Sequence, residues 1–454
     1  MVQFICIQKD WIFQDMIKNL LKKILPKTSL QAYHYILAKL AALFFQHPSE
    51  QLIVIGVTGT NGKSSTVQLI GQLLEQMGER VGWTTTASFK VAEKEWINDR
   101  KMTMLGRFQT QRLLRRMVRA GCRYAIVETS SQGIEQYRHI GIHYDVAVFT
   151  NLTPEHIEAH GGFENYKQAK LKLFQTVARA SKKYQQGELV KKIFIANLDD
   201  IHAKDFLEFS ADKKYGFGFT FSSFPTGVIP FQATDFFQSA EGIQFHLENQ
   251  VFRSPLVGGF HGSNLLAAVT TCYTLGYPWA AIQQATTRLK SIPGRLEKID
   301  EGQSFTVLVD YAYEPAALRA LYESIKVFAY KRLIHVTGSA GGGRDVARRK
   351  QIGAFSAKKD DVVIVTNEDP YDEDPWEIIN AVADAANEQG KEEGVTLYRI
   401  LDRQEAITFA ISLAKEGDLV LITGKGSEPV MAVARGKKIP WDDRLAVRKA
   451  LQQL

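Results

Sequence analysis

The first regular pattern along the chain is helical. Ile12, Met16, Leu20 and Ile24 recur every fourth residue, as do Phe13, Ile17, Leu21 and Leu25, while Lys18, Lys22 and Lys23 fall on another face. This periodicity predicts a helix over 12–25, closed by Pro26. A second helix is predicted over 29–45, through Tyr33, Ile36, Leu37, Leu40 and Phe44. Together they read either as a helical hairpin docked on the core or as a basic amphipathic segment lying on a membrane. From Leu52 the texture changes. Short β-type apolar runs at 53–57, 124–128, 146–150 and 193–196 alternate with helical periods, which predicts an α/β fold with a mostly parallel sheet. Residues 215–255, rich in Phe, Gly and Thr, predict β-hairpins, and a helix follows over 263–275. After a turn at Ser291-Ile292-Pro293-Gly294, a second alternating series has strands at 306–310, 333–337, 362–366 and 419–423. The expected organisation is a helical segment over 1–50, one α/β domain over 51–292 and a Rossmann-like α/β domain over 293–454.

Composition narrows the classes. Lys and Arg number 56 against 49 Asp and Glu, a formal charge of +7 that is mild for 454 residues. No dense basic run appears, so the charge permits an anionic substrate and gives no sign of a nucleic-acid surface. Cys6, Cys122 and Cys272 are far apart, which argues against a disulfide framework or zinc ribbon and for a reducing compartment. No uncharged apolar run reaches the ~18 residues of a spanning helix, and residues 1–10 lack the pattern of a secretory signal. A cytoplasmic location is expected.

The segment from Gly56 to Ser65, with Gly59-Thr60-Asn61-Gly62-Lys63-Ser64 at its centre, lies between a predicted strand and the helix of Val67, Ile70, Leu73 and Leu74. Glycines let such a loop curl its N–H groups toward phosphates. The helix N-terminus adds positive potential, Lys63 reaches the terminal phosphates and Ser64 can ligate Mg²⁺. Val57 stands where the general motif has glycine.

Glu128 ends one predicted strand, and Thr150-Asn151, followed by Pro154-Glu155-His156, ends the next. Ligands of open α/β sheets bind at that edge. His156 alone is more often an ordinary loop histidine, but beside a phosphate loop the pair suits Mg²⁺ and phosphate chemistry. Lys170 falls on the apolar stripe of Tyr166, Ala169, Leu173, Phe174 and Val177, whereas Lys167 and Lys172 point away. A buried amine has a lowered pKa and can add to CO₂ as a metal-ligating carbamate; snorkelling or a salt bridge is the plainer alternative.

Together these residues resemble the Mur ligases, the ATP-dependent amino-acid ligases of peptidoglycan precursor synthesis, and among them those that add the third residue to UDP-N-acetylmuramoyl-dipeptide. The resemblance runs through residues 51–454. Beyond the loop, Glu128-Thr129-Ser130-Ser131 resembles the second strand motif, 149–156 the Thr-Asn-Leu-x-x-Asp-His segment, and 165–174 the segment holding the family's carbamylated lysine. Gly294-Arg295-Leu296-Glu297, Asp310-Tyr311-Ala312, Gly343-Arg344-Asp345 and Gly424-Lys425-Gly426-Ser427-Glu428 follow in order. The resemblance implies that Gly59, Thr60, Asn61, Gly62, Lys63, Ser64, Ser65, Asn264 and Arg295 hold ATP. It assigns Mg²⁺ to Ser64, Glu128, His156 and carbamylated Lys170, and catalytic roles to Lys63, Lys170, His156, Arg344 and Asp345. Thr103, Ser130, Tyr371, Gly424 and Glu428 would meet acceptor and amino acid.

There are departures. Only about 50 residues precede the loop, so a conventional uridine-nucleotide domain is not expected. The Thr-Thr-Pro-Asp-Pro segment is here Thr103-Met104-Leu105-Gly106-Arg107, and the histidine after Asp-Tyr-Ala is Tyr313. The Asp-Asn-Pro-Arg motif of diaminopimelate-adding members is here Glu368-Asp369-Pro370-Tyr371. Tyr371 cannot make arginine's bidentate carboxylate contact, which disfavours diaminopimelate. A monomer acting on small molecules is expected, with membrane contact through 12–45 as the alternative to docking. The rivals are a folylpolyglutamate synthase-like ligase, the Mur-like subunit that partners a glutamine amidotransferase, which three scattered cysteines disfavour because that subunit carries a four-cysteine zinc ribbon, and a non-catalytic binding protein on the same fold.

Overall fold

The computed structural model describes residues 27–100, 102–154, 160–343 and 346–454. The helix predicted over 12–25 lies outside them. The first element is α1 (Lys27–Phe44), followed by β1 (Ile53–Thr58) and α2 (Lys63–Gln76). A hairpin then forms from β2 (Val81–Thr84), β3 (Ser88–Val91) and β4 (Lys94–Ile97). Next come α3 (Arg107–Arg119), β5 (Tyr124–Glu128), α4 (Ser131–Glu135), β6 (Val146–Phe149) and α5 (Phe163–Arg179). A short pair, β7 (Lys183–Gln185) and β8 (Glu188–Val190), leads to β9 (Ile193–Asn197), α6 (Ala203–Leu207), β10 (Lys213–Gly218) and β11 (Ile229–Gln232).

These strands build a nine-stranded mixed sheet in the order β11-β10-β9-β6-β1-β5-β2-β3-β4. It is parallel from β11 to β2 and antiparallel across β2, β3 and β4. Alternation decides the faces. Ile55 and Val57 join a core with Val67, Ile70 and Leu74 of α2. Val54, the residue before Ile55, faces the other way and joins a second core with Leu113 and Leu114 of α3 and Leu173 and Phe174 of α5.

The predicted hairpin region forms a three-stranded antiparallel sheet of β12 (Thr234–Ser239), β13 (Gly242–Leu247) and β14 (Gln250–Ser254). Helices α7 (Phe260–Thr274) and α8 (Trp279–Thr286) follow, and α7 lies against α2 through the first core.

The second half carries β15 (Glu297–Ile299), β16 (Thr306–Val309), α9 (Pro315–Ile325), β17 (Leu333–Thr337), α10 (Val346–Lys359) and β18 (Val362–Thr366). Then come α11 (Pro375–Asn387), β19 (Leu397–Ile400), α12 (Arg403–Leu413), β20 (Leu419–Ile422), the pair β21 (Val430–Val433) and β22 (Lys437–Pro440), and α13 (Asp443–Leu451). Its six-stranded sheet runs β15-β16-β20-β17-β18-β19, parallel except at β15. It too is covered on both faces, Leu308, Val363 and Leu421 facing one core and Val307, Ile334 and Ile364 the other. The architecture is α/β, with a mixed central sheet and a Rossmann-like C-terminal sheet.

α1 docks on α3, as the first of its two readings expects, and it does so through Ala38, Ala41 and Ala42, which are fully buried. Gly141 permits this approach: a side chain there would meet Ala42 Cβ at 2.9 Å. The larger residues Ile36, Leu40, Leu43 and Phe44 point outward. The apolar count of the helix was legible; which side was inward depended on a close alanine–glycine contact.

The amino edge of the central sheet is held by a buried ion pair. Asp145 accepts the Val54 N–H at 2.8 Å and pairs with Lys183 Nζ at 2.5 Å. Lys183 also donates to the carbonyls of Leu52 at 2.7 Å and Ser49 at 3.0 Å. Burial raises the Asp145 pKa against the opposing pull of Lys183, and burial lowers that of Lys183. Asp145→Ala should lower unfolding stability by about 3–5 kcal/mol, because it leaves a buried cation without its counter-ion. Urea denaturation checks this, and a loss below about 1 kcal/mol would contradict it.

Candidate active site

Parallel pairing in register brings three strand ends to one edge. Val57 lies beside Glu128, and Thr58 beside Phe149. The chain then curls from Gly59 to Gly62 before α2 begins at Lys63. Gly62 has φ 79°, and a Cβ there would stand 2.2 Å from Asn264 Oδ1, so only glycine fits. The curl is pinned from β6: Asn61 N–H donates to Asn151 Oδ1 at 2.8 Å, and Thr150 Oγ1 donates to Asn61 O at 2.7 Å. Thr60 N–H donates to Asn151 O at 2.8 Å. Lys63 Nζ donates to Thr60 O at 2.6 Å, which folds its cation back over the loop. Ser65 is buried, and Asn264, on α7, reaches the loop with Thr66 Oγ1 at 3.5 Å from its Oδ1.

Glu128 is buried and held by three donors. Ser64 Oγ lies at 2.7 Å and Thr86 N–H at 2.7 Å from Oε2, and Thr86 Oγ1 lies at 3.1 Å from Oε1. Thr86 Oγ1 also meets Thr103 Oγ1 at 3.0 Å. Sequence reading missed Thr86. Its signal was positional: β2 pairs with β5 so that Thr84 faces Val127, and the turn just past β2 therefore meets Glu128 at the end of β5. A serine hydroxyl beside a carboxylate is a hard-oxygen donor set that fits Mg²⁺. Among the described residues no group of three or more His, Cys, Asp or Glu is placed to hold a metal ion.

Lys170 is 1% exposed, so of the two readings of its place on the apolar stripe of α5 the structure shows burial. Its Nζ donates to Gly59 O at 2.6 Å and lies 4.3 Å from the centre of the Tyr166 ring. Tyr166 in turn shares a hydrogen bond with Thr60 Oγ1 at 3.1 Å. Lys170 therefore does not snorkel; it reaches the loop. His156, Arg344 and Asp345 lie outside the described residues. Ser130 caps α4, accepting the Gly133 N–H at 3.2 Å.

The remaining candidates gather on the C-terminal sheet. The Arg295 guanidinium lies 4.4 Å from the Tyr311 ring, and Tyr311 OH donates to Glu428 Oε1 at 3.0 Å. Buried Lys425 pairs with both Asp369 oxygens at 3.0 Å and with Glu428. Burial alone would lower its pKa, but Glu428 and Asp369 raise it overall. Gly424, at φ 107°, passes against Glu368, and Tyr371 adopts φ 54° with its N–H donating to Ala432 O at 3.1 Å. A cleft of about 210 Å³ separates this group from the β3–β4 hairpin, lined by Ser88, Glu95, Trp96, Pro293, Ser427 and Arg444.

With this geometry in view, the comparisons decide the family. Residues 57–272 match the Mur ligase middle domain, and residues 294–426 match the Mur ligase glutamate ligase domain. A UDP-N-acetylmuramyl-tripeptide synthetase of Roseiflexus sp. (strain RS-1) is 36% identical over 430 residues, covering 92% of this chain and 82% of that protein. This chain belongs to the Mur ligase family. A UDP-N-acetylmuramoyl-L-alanyl-D-glutamate–2,6-diaminopimelate ligase of Geobacillus thermodenitrificans (strain NG80-2) is 34% identical over 424 residues, again 92% of this chain and 82% of the relative. A solved structure of a ligase of that name superposes with TM-score 0.60 at 30% identity, covering 88% of this chain and 78% of the other. The Mycobacterium tuberculosis folylpolyglutamate synthase superposes at 0.63 with 18% identity, over 91% of this chain and 96% of the other, which is a likeness of fold. This Mur ligase is thus an ATP-dependent acid–amino-acid ligase that forms an amide on a UDP-N-acetylmuramoyl-peptide-like acceptor. ATP and Mg²⁺ use is typical of the family.

Glu368 was not singled out by sequence as a chemical group. It is buried, its Oε2 has no hydrogen-bond partner, and burial raises its pKa to about 7 despite Arg403 and Lys425. A raised carboxyl pKa favours the folded state fully below the unfolded value near 4.5, and this contribution is lost as pH rises through about 7. Glu368→Gln should therefore flatten the fall in stability between pH 5 and pH 8. Urea midpoints at the two pH values check this; an unchanged slope would contradict it.

Proposed function

We propose that this ligase couples a cationic amino acid without a distal carboxylate, lysine being the simplest, to the carboxylate of a muramoyl-peptide acceptor. The observation that carries the choice is the acidic segment around Tyr371, whose neighbouring described arginines are already paired with carboxylates. The segment from Glu368 to Asp374 has five acids in seven residues. The neighbouring Arg349 is committed to Glu373 at 2.6 Å, and Arg348 to Glu314 at 2.9 Å. The Tyr371 ring packs beside Gly342, where an arginine fork would be needed for diaminopimelate.

In this reading residues 51–292 and 293–454 act as two domains of a monomeric, cytoplasmic enzyme, with reactants meeting between them. The loop from Gly56 to Ser65 is a phosphate loop: its N–H groups and the start of α2 cradle the ATP phosphates, and Lys63 neutralises the terminal ones. Ser64 and Glu128 would hold one Mg²⁺, and His156 with carbamylated Lys170 a second. These ions would offset charge on the transferring phosphoryl group. Lys170 is the lysine to be carbamylated: its neutral amine adds to CO₂ and releases a proton. Asn264 and Arg295 bound the nucleotide. Thr103 and Ser130 face the acceptor, which enters by the cleft beside Ser88 and Ser427.

The acceptor carboxylate attacks the γ-phosphate, giving an acyl phosphate and ADP. The amine of the amino acid then attacks the acyl carbon and phosphate leaves, giving the amide. Glu428, held by Lys425 and Tyr311, orients that amine, while Gly424 keeps the loop close to Glu368. Arg344 and Asp345 complete the site from the C-terminal half.

Phosphate release with UDP-muramoyl-dipeptide and a panel of lysine, ornithine and diaminopimelate tests this reading. Lysine should be preferred, and Tyr371→Arg should shift preference toward diaminopimelate. A charge-assisted pair of about 1.5–3 kcal/mol corresponds to about 10–150-fold. Wild-type preference for diaminopimelate, or no shift in the variant, would contradict it.

A further inference from the structure

α1 turns its alanines inward and its large apolar residues outward. Ile36, Leu40, Leu43 and Phe44 are 55, 50, 63 and 73% exposed. Their spacing of four, three and one places them on one side of the helix. Phe108, at the start of α3, is 44% exposed and extends the patch, its ring 6.2 Å from that of Phe44. Isolated exposed apolar residues are ordinary, but a contiguous stripe of five large ones marks a contact surface.

The charge around the stripe indicates what it contacts. α1 contains Lys27 and Lys39, and α3 contains Arg107, Arg112, Arg115, Arg116 and Arg119. Neither helix has an Asp or Glu. These two helices together carry a charge equal to the formal +7 of the whole chain, so the rest of the sequence is balanced. The fold makes the concentration by packing α1 on α3. Arg115 is used structurally, donating to Phe45 O at 2.7 and 2.9 Å. Arg112 and Arg119 are exposed, and their helical spacing from Phe108 sets them on its side of α3.

We propose that α1 and α3 form a docking surface for an anionic phospholipid bilayer. The apolar stripe enters the headgroup–acyl boundary, and Arg112, Arg119 and Lys39 meet lipid phosphates. An apolar face rimmed by cations that no described carboxylate pairs is the pattern of an interfacial helix, and each basic residue near such a surface adds attraction to anionic lipid. No helix of the described residues is long and apolar enough to cross a membrane, so the contact is peripheral.

The test uses the full chain. Co-sedimentation at physiological salt with vesicles of phosphatidylcholine containing phosphatidylglycerol should capture the protein, and pure phosphatidylcholine should capture far less. The pairs Leu40→Glu with Phe44→Glu, and Arg112→Glu with Arg119→Glu, should each reduce the bound fraction at least about tenfold while leaving ligase turnover in solution unchanged. Absence of binding, or binding indifferent to both pairs, overturns the proposal. So does a Leu40→Cys variant, in a Cys6→Ser background, that resists a water-soluble maleimide without vesicles, since the chain itself would then cover the stripe. A dimer by light scattering that the Leu40→Glu, Phe44→Glu pair dissociates would assign the surface to a second copy and overturn it as well.

Discussion

The Lys170 amine sits where no bulk water reaches it, against the Gly59 carbonyl and the Tyr166 ring. Taking a charged amine out of water costs several kcal/mol unless the surroundings compensate. The surrounding geometry serves that placement. α5 is long enough to bury its apolar stripe against β1 and β6 and still deliver Lys170 beneath the loop. Thr60 and Tyr166 tie the loop to the same helix, and Asn151 ties it to β6. The fold itself therefore clamps the loop on two sides.

The C-terminal half solves a different electrostatic problem. Lys425 is buried among carboxylates of Asp369 and Glu428, and Arg403 is buried in a two-bond contact with Asp443 at 2.8 Å. Asp443 also accepts the Gly426 N–H at 3.0 Å. The two pairs thus share one loop, residues 424–428, and hold Glu428 in place. Glu368 lies beneath that loop with its charge disfavoured by burial. Asp310, raised by burial and opposed by Arg295, accepts the N–H groups of Leu296 and Ala312, both at 2.7 Å, and fixes the start of the C-terminal half against β16.

Much of this was legible in the sequence because period and position carried it. The predicted strands at 53–57, 124–128, 333–337 and 362–366 appear within a residue, since fully buried parallel strands read as short apolar runs. Lys170 could be read as buried because one helical stripe contained it. What escaped depended on tertiary register. Thr86 meets Glu128 only because β2 lies beside β5. The Lys425–Asp369 pair joins residues 56 positions apart. The apolar count of α1 did not say which side is inward, and the structure hides its alanines. The basic surface was invisible as a run, because its two halves lie on helices separated by β1, α2 and the β2–β4 hairpin.

The most direct test of the account is carbon-13 NMR of the protein equilibrated with labelled bicarbonate, wild type against Lys170→Gln. If the buried amine beneath Gly59 is the carbamate site, the wild type shows a carbamate carbonyl resonance that the variant lacks. A folded, active wild type with no such resonance would contradict the role assigned to Lys170.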